Sequence, residues 1–323
     1  MISAKKVKQA ARQEIRGCLS PLLVKALGRT YDTRDAIVIS GFFRSGTTWL
    51  AELVSKSANA GIVFEPFHTD NVSSAKAAGF TYNNFRSPDE NWEEGFRYVD
   101  NVLRGKMLNR WTASQIPVRQ SVQMRRLVIK LVASNQMLVW LVNHFEVPTP
   151  VLLIRHPCAV LASWINRGWR LNNWIMRDER MLAFHPEVSE ILDSLSVPEE
   201  FFAAKWCIDH YVPLSSAGER DFNIVPFEKM VVEGAEYLDT VLNYWNIEMP
   251  DFVRDEIRRP SDKASDQLSS DYSSAVGGWR NSLTDQQQQR VLRVVRDFGL
   301  DFYSSDVEPD YDRLFGLEPV RSR

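Results

Sequence analysis

The chain has 323 residues, of which 44% are hydrophobic and 25% charged, and its 39 Lys plus Arg nearly balance 41 Asp plus Glu. A net charge of −2 gives no reason to expect nucleic acid or an anionic membrane as a general partner, so any basic site must be local. Three cysteines without metal-ligand spacing favour free thiols in a reducing compartment. No apolar run approaches the roughly 20 residues of a transmembrane helix, and the N-terminus lacks an apolar signal core. We therefore expect a cytoplasmic protein without a transmembrane segment.

The first 34 residues predict an N-terminal helical extension. Basic and apolar residues alternate there in a pattern typical of an amphipathic helix. Such a helix could touch a membrane peripherally or bind a partner, but packing on the domain with a solvated outer face is the favoured interpretation. The residues concerned are Lys5, Lys6, Lys8, Arg12 and Arg16, interleaved with Val7, Ile15 and Leu19.

Residues 37–40 predict a short buried strand, and a loop bounded by Gly41 and Gly46 follows it. The chain then continues as a helix with apolar residues at helical spacing, namely Trp49, Leu50 and Leu53. A strand, a glycine loop and a helix together form a phosphate cradle, because glycines let N–H groups approach the anion and the helix N-terminus adds partial positive charge. We expect a phosphate site at this loop.

The spacing of the two glycines is that of a Walker A loop, but Thr47 and Thr48 follow Gly46 where that motif has Lys and Ser or Thr. The cation that would reach the β- and γ-phosphates is missing from its usual position. Arg44 carries the charge instead, two residues before the second glycine. This displacement argues against an ATPase or kinase and fits a loop that holds one 5′-phosphate while a cation faces a transferring group.

Further short strands alternate with helices, which predicts an α/β fold with a three-layer parallel sheet. Between them, residues 67–126 break this rhythm and predict a mostly helical insertion that bears part of an acceptor site. A loop rich in Ser, Asp and Gly at 260–278 is predicted to be mobile. The remaining predicted strands are 61–66, 127–132, 151–154 and 222–226. The predicted helices are about 93–105, 199–217, 234–246 and 284–298. Two more are predicted, one that is capped by Ser134 and runs to Phe145, and one that begins at Pro157.

The loop residues Arg44-Ser45-Gly46-Thr47-Thr48-Trp49, followed by Phe64-Glu65-Pro66, resemble sulfotransferases that use 3′-phosphoadenosine 5′-phosphosulfate (PAPS). Cytosolic members usually have Lys at the position of Arg44, and the Arg-Ser-Gly form with Phe-Glu-Pro is most similar to the carbohydrate sulfotransferases. The resemblance covers about residues 37–300. It implies a P-loop-like sulfotransferase topology for a domain at 35–305, followed by a tail at 306–323.

This resemblance also implies the reaction. PAPS would be the co-substrate and adenosine 3′,5′-bisphosphate the product, without a metal ion. The acceptor would be a hydroxyl group on a glycan or glycosylated molecule. Eukaryotic carbohydrate sulfotransferases are usually anchored in the Golgi membrane, and the missing apolar run departs from that pattern. The sequence leaves the acceptor's identity and the oligomeric state open.

A second motif follows the strand at 151–154. Arg155 at the strand end and Ser163 beyond Pro157 could point at one phosphate, with bidentate donors from Arg and a hydroxyl from Ser. On its own the pattern could equally be a surface turn. The resemblance assigns Arg155 and Ser163 to the 3′-phosphate of the nucleotide.

Glu65 is the candidate general base, because sulfuryl transfer requires removal of a proton from the acceptor hydroxyl. Cytosolic relatives use a histidine two residues after a strand-end lysine, but Val132 stands there, two residues after Lys130. Glycan-acting relatives commonly use a glutamate. Two alternatives stay open: Glu65 could be a structural carboxylate paired with Arg or Lys, and His68 could be the base.

Arg44 and Lys130 are the candidate cations for charge that develops on the sulfuryl group and the bridging oxygen. Lys130 could instead extend its amine to water. By resemblance, Trp279 and Arg280 belong to a segment that closes over the nucleotide, and Glu228 is structural. Together the resemblance gives the nucleotide-binding set Arg44, Ser45, Gly46, Thr47, Thr48, Trp49, Arg155, Ser163, Trp279 and Arg280.

The Trp- and Arg-rich stretch at 164–183 could stack sugar rings and bind an acidic glycan, although a helix with core and surface faces is favoured. Two other functions stay open for the whole chain. A P-loop small-molecule kinase would need a lysine after Gly46 and an aspartate for magnesium. A non-catalytic nucleotide-binding module would bind nucleotide and turn over no acceptor.

Overall fold

The computed structural model describes residues 4–168, 177–216, 222–257 and 276–316, with side chains from residue 7 onward. The predicted mobile loop at 260–278 therefore lies outside the described residues except for its last three positions. Trp169, Arg170 and Trp174 of the Trp- and Arg-rich stretch also lie outside them.

A five-stranded, all-parallel sheet forms the middle layer, with the strand order β2-β3-β1-β4-β5. This arrangement confirms the predicted α/β class and the parallel sheet. The second and third strands are shorter than predicted, since they end at Phe64 and Lys130 rather than at residues 66 and 132. The strands are β1 Ala36–Gly41, β2 Gly61–Phe64, β3 Leu127–Lys130, β4 Val151–Ile154 and β5 Asn223–Pro226.

Helices cover both faces of the sheet. They are α1 Ala4–Ala26, α2 Thr47–Ala58, α3 Ser73–Ala77, α4 Glu93–Leu103, α5 Val118–Gln123, α6 Leu138–His144, α7 Pro157–Ile165, α8 Glu179–Phe184, α9 Glu187–Asp193, α10 Pro198–Ser216, α11 Phe227–Val232, α12 Ala235–Asn243, α13 Asp251–Glu256, α14 Trp279–Ser282, α15 Asp285–Asp297 and α16 Tyr311–Gly316. Short 3₁₀ turns occur at Thr33–Asp35 and Asn135–Met137. In this described part of the chain, no helix is both long and apolar enough to span a bilayer.

Most predictions of single helices agree with the structure, but the region 67–126 is not mostly helical as predicted, since its helices α3, α4 and α5 hold 5, 11 and 6 of its residues and the rest is turn and loop. Two further details differ. Ser134 precedes the 3₁₀ turn, but its hydroxyl donates to the Val132 carbonyl and its side chain caps no helix. The predicted tail contains α16, whose Leu314 is fully buried in the core. The last long helix, α15, begins with a Thr284–Gln287 capping box, a pattern that satisfies two free N–H groups of a helix start.

The core lies on both faces of the sheet, because every strand is buried and side chains alternate between the faces. Ile37, Ile39 and Leu153 pack on α2 and α12. On the other face, Leu152 and Ile154 pack on α7, α10 and α15. The three layers predicted from the sequence are therefore present, and they hold the five strand ends in a fixed row.

The region 67–126 is packed onto the sheet near the end of β2. Phe67 stacks on Phe80 at 4.4 Å between ring centroids, and Tyr98 donates a 2.8 Å hydrogen bond to the Pro66 carbonyl. The amide of Phe64, the last residue of β2, donates to the Thr112 carbonyl. These contacts make the region a wall beside the carboxyl end of β2.

Candidate active site

The candidate residues line up along the carboxyl edge of the sheet in the order of the strands. Glu65 follows β2, Lys130 ends β3, the glycine loop follows β1, and Arg155 follows β4. Ligands bind at this edge in open α/β sheets, because loops and helix N-termini converge there. Four motifs that are far apart in sequence thus share one edge.

Both glycines of the loop are required by their surroundings. Gly46 has a φ of 96°, and a Cβ there would lie 2.7 Å from the ring of Phe227. A Cβ on Gly41 would lie 2.7 Å from Thr47 and 2.8 Å from the Leu153 carbonyl oxygen. Close packing therefore fixes the loop's path, and Gly46 leads directly into α2, whose first N–H groups have no partner within the helix.

Ser45 is fully buried, and its hydroxyl has no hydrogen-bond partner among the described residues. A buried hydroxyl without a partner costs about 1–3 kcal/mol, so it requires an explanation. Its position in a glycine loop beside a helix N-terminus fits a bound anion. Thr47 is also buried, whereas Thr48 is partly exposed and Trp49 packs edge-on against Phe227.

Contacts join the glycine loop to the second motif. The Nε of Arg44 donates to the Ser163 hydroxyl at 3.1 Å, and Nη1 of Arg155 donates to the Arg44 carbonyl at 2.9 Å. The Arg155 guanidinium also lies 4.3 Å from the centroid of the Phe227 ring, which packs against Gly46. The two predicted anion motifs therefore form a single site.

This site concentrates positive charge. Burial, together with the charges of Arg167 and Arg155, lowers the pKa of Arg44 to about 10. Burial also lowers the pKa of Arg155, opposed by the nearby Glu228 and Tyr303. Cations that destabilise one another are typical of a site that binds an anion. Sequence analysis did not assign Arg167 to this site, because it lies in a turn just beyond the end of α7 at Ile165.

A buried network lies behind Arg155. Glu228 accepts hydrogen bonds from the His156 amide and the Tyr303 hydroxyl, each at 2.8 Å, and Trp206 donates to the Arg155 carbonyl at 3.2 Å. Glu228 is fully buried, which raises its pKa. This is the structural role that the sequence suggested for Glu228.

Trp279 belongs to the same support. It is 2% exposed and stacks on His156 with centroids 4.4 Å apart. Arg280 is exposed, lies 5.5 Å from the Trp279 ring and donates to the Ser305 carbonyl. None of the described contacts brings either side chain to the glycine loop. Their described contacts lie behind Arg155, and their closure over the nucleotide stays a prediction.

Glu65 and Lys130 form an ion pair at 2.5 Å on the other side of the loop. Lys130 is 2% exposed, with its amine 4.5 Å from the Phe64 ring, so it does not extend to water. The structure therefore contains the ion pair that the structural-carboxylate alternative required. It also leaves Glu65 on the wall of a cleft, so the pairing alone does not separate a structural carboxylate from a base.

That cleft has an empty volume of about 340 Å³, including its mouth. Both candidate bases line it, and no lysine or arginine from the described segments does. The rings of His68 and Trp111 have centroids 5.2 Å apart, and Nδ1 of His68 is 3.3 Å from the side-chain Nδ2 of Asn71. The lining residues are Phe43, Glu65, Phe67, His68, Thr69, Thr81, Tyr82, Asn84, Leu131, Val132, Ala133 and Ser134.

Backbone strain is concentrated at the same edge. Arg44, Glu65 and Ala133 have positive φ angles of 65°, 43° and 53°, a region that non-glycine residues seldom occupy. The two other residues of this kind in the described segments are asparagines, which tolerate it. Strain of this sort persists where the surroundings force it, commonly at functional sites.

The Arg side chains of the stretch at 164–183 are mostly engaged elsewhere. Arg177 pairs with Asp193, and Arg180 pairs with Asp178 at 3.1 Å. Trp164 is buried in the core. The favoured interpretation is a helix with a core face and a surface face, but the described part of this stretch is helical only to Ile165 and again from Glu179. The described segments also contain no group of three His, Cys, Asp or Glu residues that could hold a metal ion.

No protein-family model matches the chain, and no curated protein matches it in sequence. Among solved structures, the chain is similar to the sulfotransferase domain of the olefin synthase from Synechococcus PCC 7002, with 15% sequence identity and a TM-score of 0.45. The match covers 85% of this chain and 97% of that domain. A likeness this distant assigns no function, so the functional argument depends on the site itself.

Proposed function

We propose that this protein transfers a sulfuryl group from PAPS to a hydroxyl group of a neutral acceptor. The observation that carries the proposal is the 3.1 Å contact between Arg44 and Ser163. It joins a glycine loop suited to one phosphate to an Arg–Ser motif suited to a second. A ligand with two separate phosphates, one at each end of a nucleoside, matches such a pair of sites better than a continuous triphosphate chain.

The residues present fit this donor. Ser45 offers a buried hydroxyl without a partner among the described residues, and the N-terminus of α2 offers backbone N–H groups to the 5′-phosphate. Arg155 and Ser163 would hold the 3′-phosphate. Arg44, which belongs to the glycine loop and contacts Ser163, would face the sulfuryl oxygens. The donor supplies an activated sulfur–oxygen bond.

The order of the strand ends supports different roles for Glu65 and Lys130. Glu65 would accept the proton of an acceptor hydroxyl in the cleft while that oxygen forms a bond to sulfur and the bond from sulfur to the 5′-phosphate oxygen breaks. The salt bridge with Lys130 favours the charged form of the Glu65 carboxylate, and a base requires this form in order to accept a proton. Lys130 lies between Glu65 and the loop, where its charge would stabilise the bridging oxygen.

The lining of the cleft favours a neutral acceptor. Tyr82 and Phe43 contribute rings to it, and Asn84 and Ser134 contribute polar atoms that already hydrogen-bond one another. Without a cation on the described lining, an acidic glycan would have no charge partner there. We therefore propose a neutral glycan residue or a glycosylated small molecule.

The kinase alternative is disfavoured by Thr47, which is 4% exposed at the position of the Walker lysine. Titration calorimetry with adenosine 3′,5′-bisphosphate and with ATP, each with and without chelator, tests the donor. We expect tighter binding of the bisphosphate and no requirement for magnesium. Tight, magnesium-dependent ATP binding would restore the kinase.

The remaining alternative is a nucleotide-binding module without catalysis. Incubation with labelled PAPS and a panel of neutral glycosides, acidic glycans and phenols tests it. Labelled product on a neutral glycoside is the expected result. Bisphosphate binding without product on any acceptor would favour the module.

The compartment is a separate proposal. Cys18, Cys158 and Cys207 are all free thiols, and the latter two are buried. Burial raises the pKa of Cys158 to about 12, so this thiol is inert. Free thiols favour a reducing, cytoplasmic setting, which localisation of a tagged chain would test.

A further inference from the structure

The helix α1 has two faces of opposite character. Gly17, Ser20 and Val24 are buried against the domain, and Ser20 donates a 2.9 Å hydrogen bond to the Ile116 carbonyl. A Cβ on Gly17 would lie 2.2 Å from the Arg110 carbonyl oxygen, so helix and domain are in close contact there. Small residues and the hydrogen bond of Ser20 hold this face, with Val24 as its large apolar contribution.

The apolar side chains of α1 lie on the opposite face. At about 100° per residue, Val7, Ile15, Leu19 and Leu22 fall within an arc of about 120°, centred roughly opposite the buried face. They are 56%, 54%, 45% and 63% exposed. A surface helix normally turns such an arc inward, and α1 turns it outward.

This exposure is concentrated in one place. The described part of the chain has twelve strongly exposed large hydrophobic residues, and five of them lie between Val7 and Leu27. The other seven are scattered over the rest of the structure, where single exposed hydrophobics are ordinary. A clustered apolar stripe instead marks an interaction surface.

The charge of α1 identifies the partner. The helix carries six basic residues and one acid, a net charge of +5, whereas the whole chain is at −2 and the remainder therefore at −7. The acid, Glu14, already pairs with Arg110 of the domain. By the same helical spacing, Arg12 lies at the edge of the apolar arc and Lys8 within it, and both are exposed, so that a long side chain such as that of Lys8 can carry its amine to the head groups. A second copy of this positive helix would be repelled, while an anionic surface would be attracted.

We infer that α1 binds in the plane of an anionic lipid bilayer, with the arc Val7–Leu22 inserted and its basic residues at the head groups. At 23 residues the helix is about 35 Å long, enough for a monotopic anchor of this kind. It needs no spanning segment. The inference is independent of the proposed reaction, since it uses no residue of the candidate site.

Vesicle co-sedimentation of the full chain tests the inference. Vesicles of phosphatidylcholine alone are compared with vesicles that also contain phosphatidylglycerol. We expect binding to the anionic vesicles and at least tenfold weaker binding to the neutral ones. Combined Ile15→Asp and Leu22→Asp substitutions should abolish it, and Arg12→Glu should weaken it by at least about fivefold, the effect of one basic charge near such a surface.

Val232 and Phe252 provide a matched control, because they are 56% and 55% exposed but lie far from α1 in sequence. Their replacement by Asp should leave vesicle binding unchanged. Thermal unfolding shows whether each variant is folded. No binding to anionic vesicles, equal loss in the control, or a dimer in light scattering that Ile15→Asp and Leu22→Asp disrupt would each overturn the inference.

Discussion

The two halves of the candidate site are built differently. On the donor side, at the ends of β1 and β4, Arg155 is held by Phe227 and by a buried network behind it. On the acceptor side, at the ends of β2 and β3, the cleft is walled by short segments of loop that carry rings and small polar groups. The first half is part of the core, and the second is attached to it.

This difference indicates which half of the candidate site can accept substitutions. The proposed donor half is fixed by close packing, since a Cβ added at Gly41 or Gly46 would lie only 2.7 Å from a neighbouring side chain. The lining of the acceptor cleft can vary at Tyr82 or Thr81 without cost to the core. Glu65 stands where the halves meet, since it pairs with Lys130 beside the loop and also lines the cleft.

The largest expected effect comes from Glu65→Gln, which keeps shape and removes basicity. If Glu65 is the base, turnover should fall by about 10²–10⁴-fold, the usual contribution of general-base catalysis. Affinity for adenosine 3′,5′-bisphosphate should stay near that of the wild type, because the donor half is untouched. Steady-state kinetics and calorimetry measure the two quantities.

Two controls separate a base from a structural carboxylate. In His68→Ala most of the rate should remain. If Glu65 serves Lys130 only, Glu65→Gln should lower thermal stability, and adding Lys130→Met should remove the unpaired buried charge and restore that stability. A Glu65→Gln enzyme with more than about a tenth of the wild-type rate would remove Glu65 from the mechanism and make His68 the residue to test.

Arg155→Ala should weaken nucleotide binding in the donor half and leave the acceptor cleft unchanged. Charge-assisted contacts contribute about 1.5–3 kcal/mol, so bisphosphate affinity should fall by about ten- to a hundredfold. Adenosine 5′-phosphosulfate, which lacks the 3′-phosphate, should lose much less. Calorimetry with both ligands measures the contrast, and Arg180→Ala, which loses an exposed pair with Asp178, is the control. Equal losses for both ligands would mean that Arg155 does not bind the 3′-phosphate.

The parts of the site that sequence predicts are those set by local geometry. A loop bounded by Gly41 and Gly46 can be identified because only small residues tolerate its close contacts. Alternating short strands and helices likewise predict the parallel sheet. The shared carboxyl edge follows from that sheet, so Glu65 and Arg155 could be expected near the loop.

Contacts between distant segments could not be predicted in this way. Nothing in the residues around Trp279 indicates that it stacks on His156 rather than on a ligand. The ion pair of Lys130 with Glu65 and the approach of Arg167 to Arg44 depend on how separate loops pack. The outward turn of the apolar arc of α1 is of the same kind, since an amphipathic pattern does not specify which face meets the domain.

The network behind Arg155 should make the donor half sensitive to acid. Burial lowers the pKa of His156 to about 3, while an unfolded histidine titrates near 6.5. Between these values the unfolded chain binds the extra proton, so stability decreases as the pH falls through that window, by about 1.4 kcal/mol per unit. At pH 5 this amounts to about 2 kcal/mol.

His156→Asn should remove this loss of stability at low pH, because the Asn side chain does not titrate. Asn can also cap α7, so the start of the helix is kept. Urea unfolding at pH 7.5 and pH 5 would show a smaller decrease for the variant than for the wild type. His210, whose pKa burial lowers to about 4, provides the comparison. His210→Asn should relieve acid sensitivity too but leave bisphosphate affinity unchanged. If the stability of His156→Asn depended on pH as that of the wild type does, His156 would not be the source of the acid sensitivity.

Arg167 gives the smallest expected effect and the sharpest test of where the donor half ends. Its charge acts on Arg44, yet it is exposed, so solvent screening limits its contribution to at most about 1 kcal/mol, or about fivefold in affinity. Arg167→Ala should therefore weaken bisphosphate binding by about two- to fivefold at low salt. The difference should vanish as ionic strength rises, because screening removes an exposed contribution first. Arg155→Ala should keep most of its loss in the same salt series, since its guanidinium is held against Phe227. Arg177→Ala is the matched control, an exposed arginine of the same stretch that pairs with Asp193, and should change nothing. A salt-independent loss in Arg167→Ala would instead mean that Arg167 contacts the nucleotide directly, and the donor half would then extend to the end of α7.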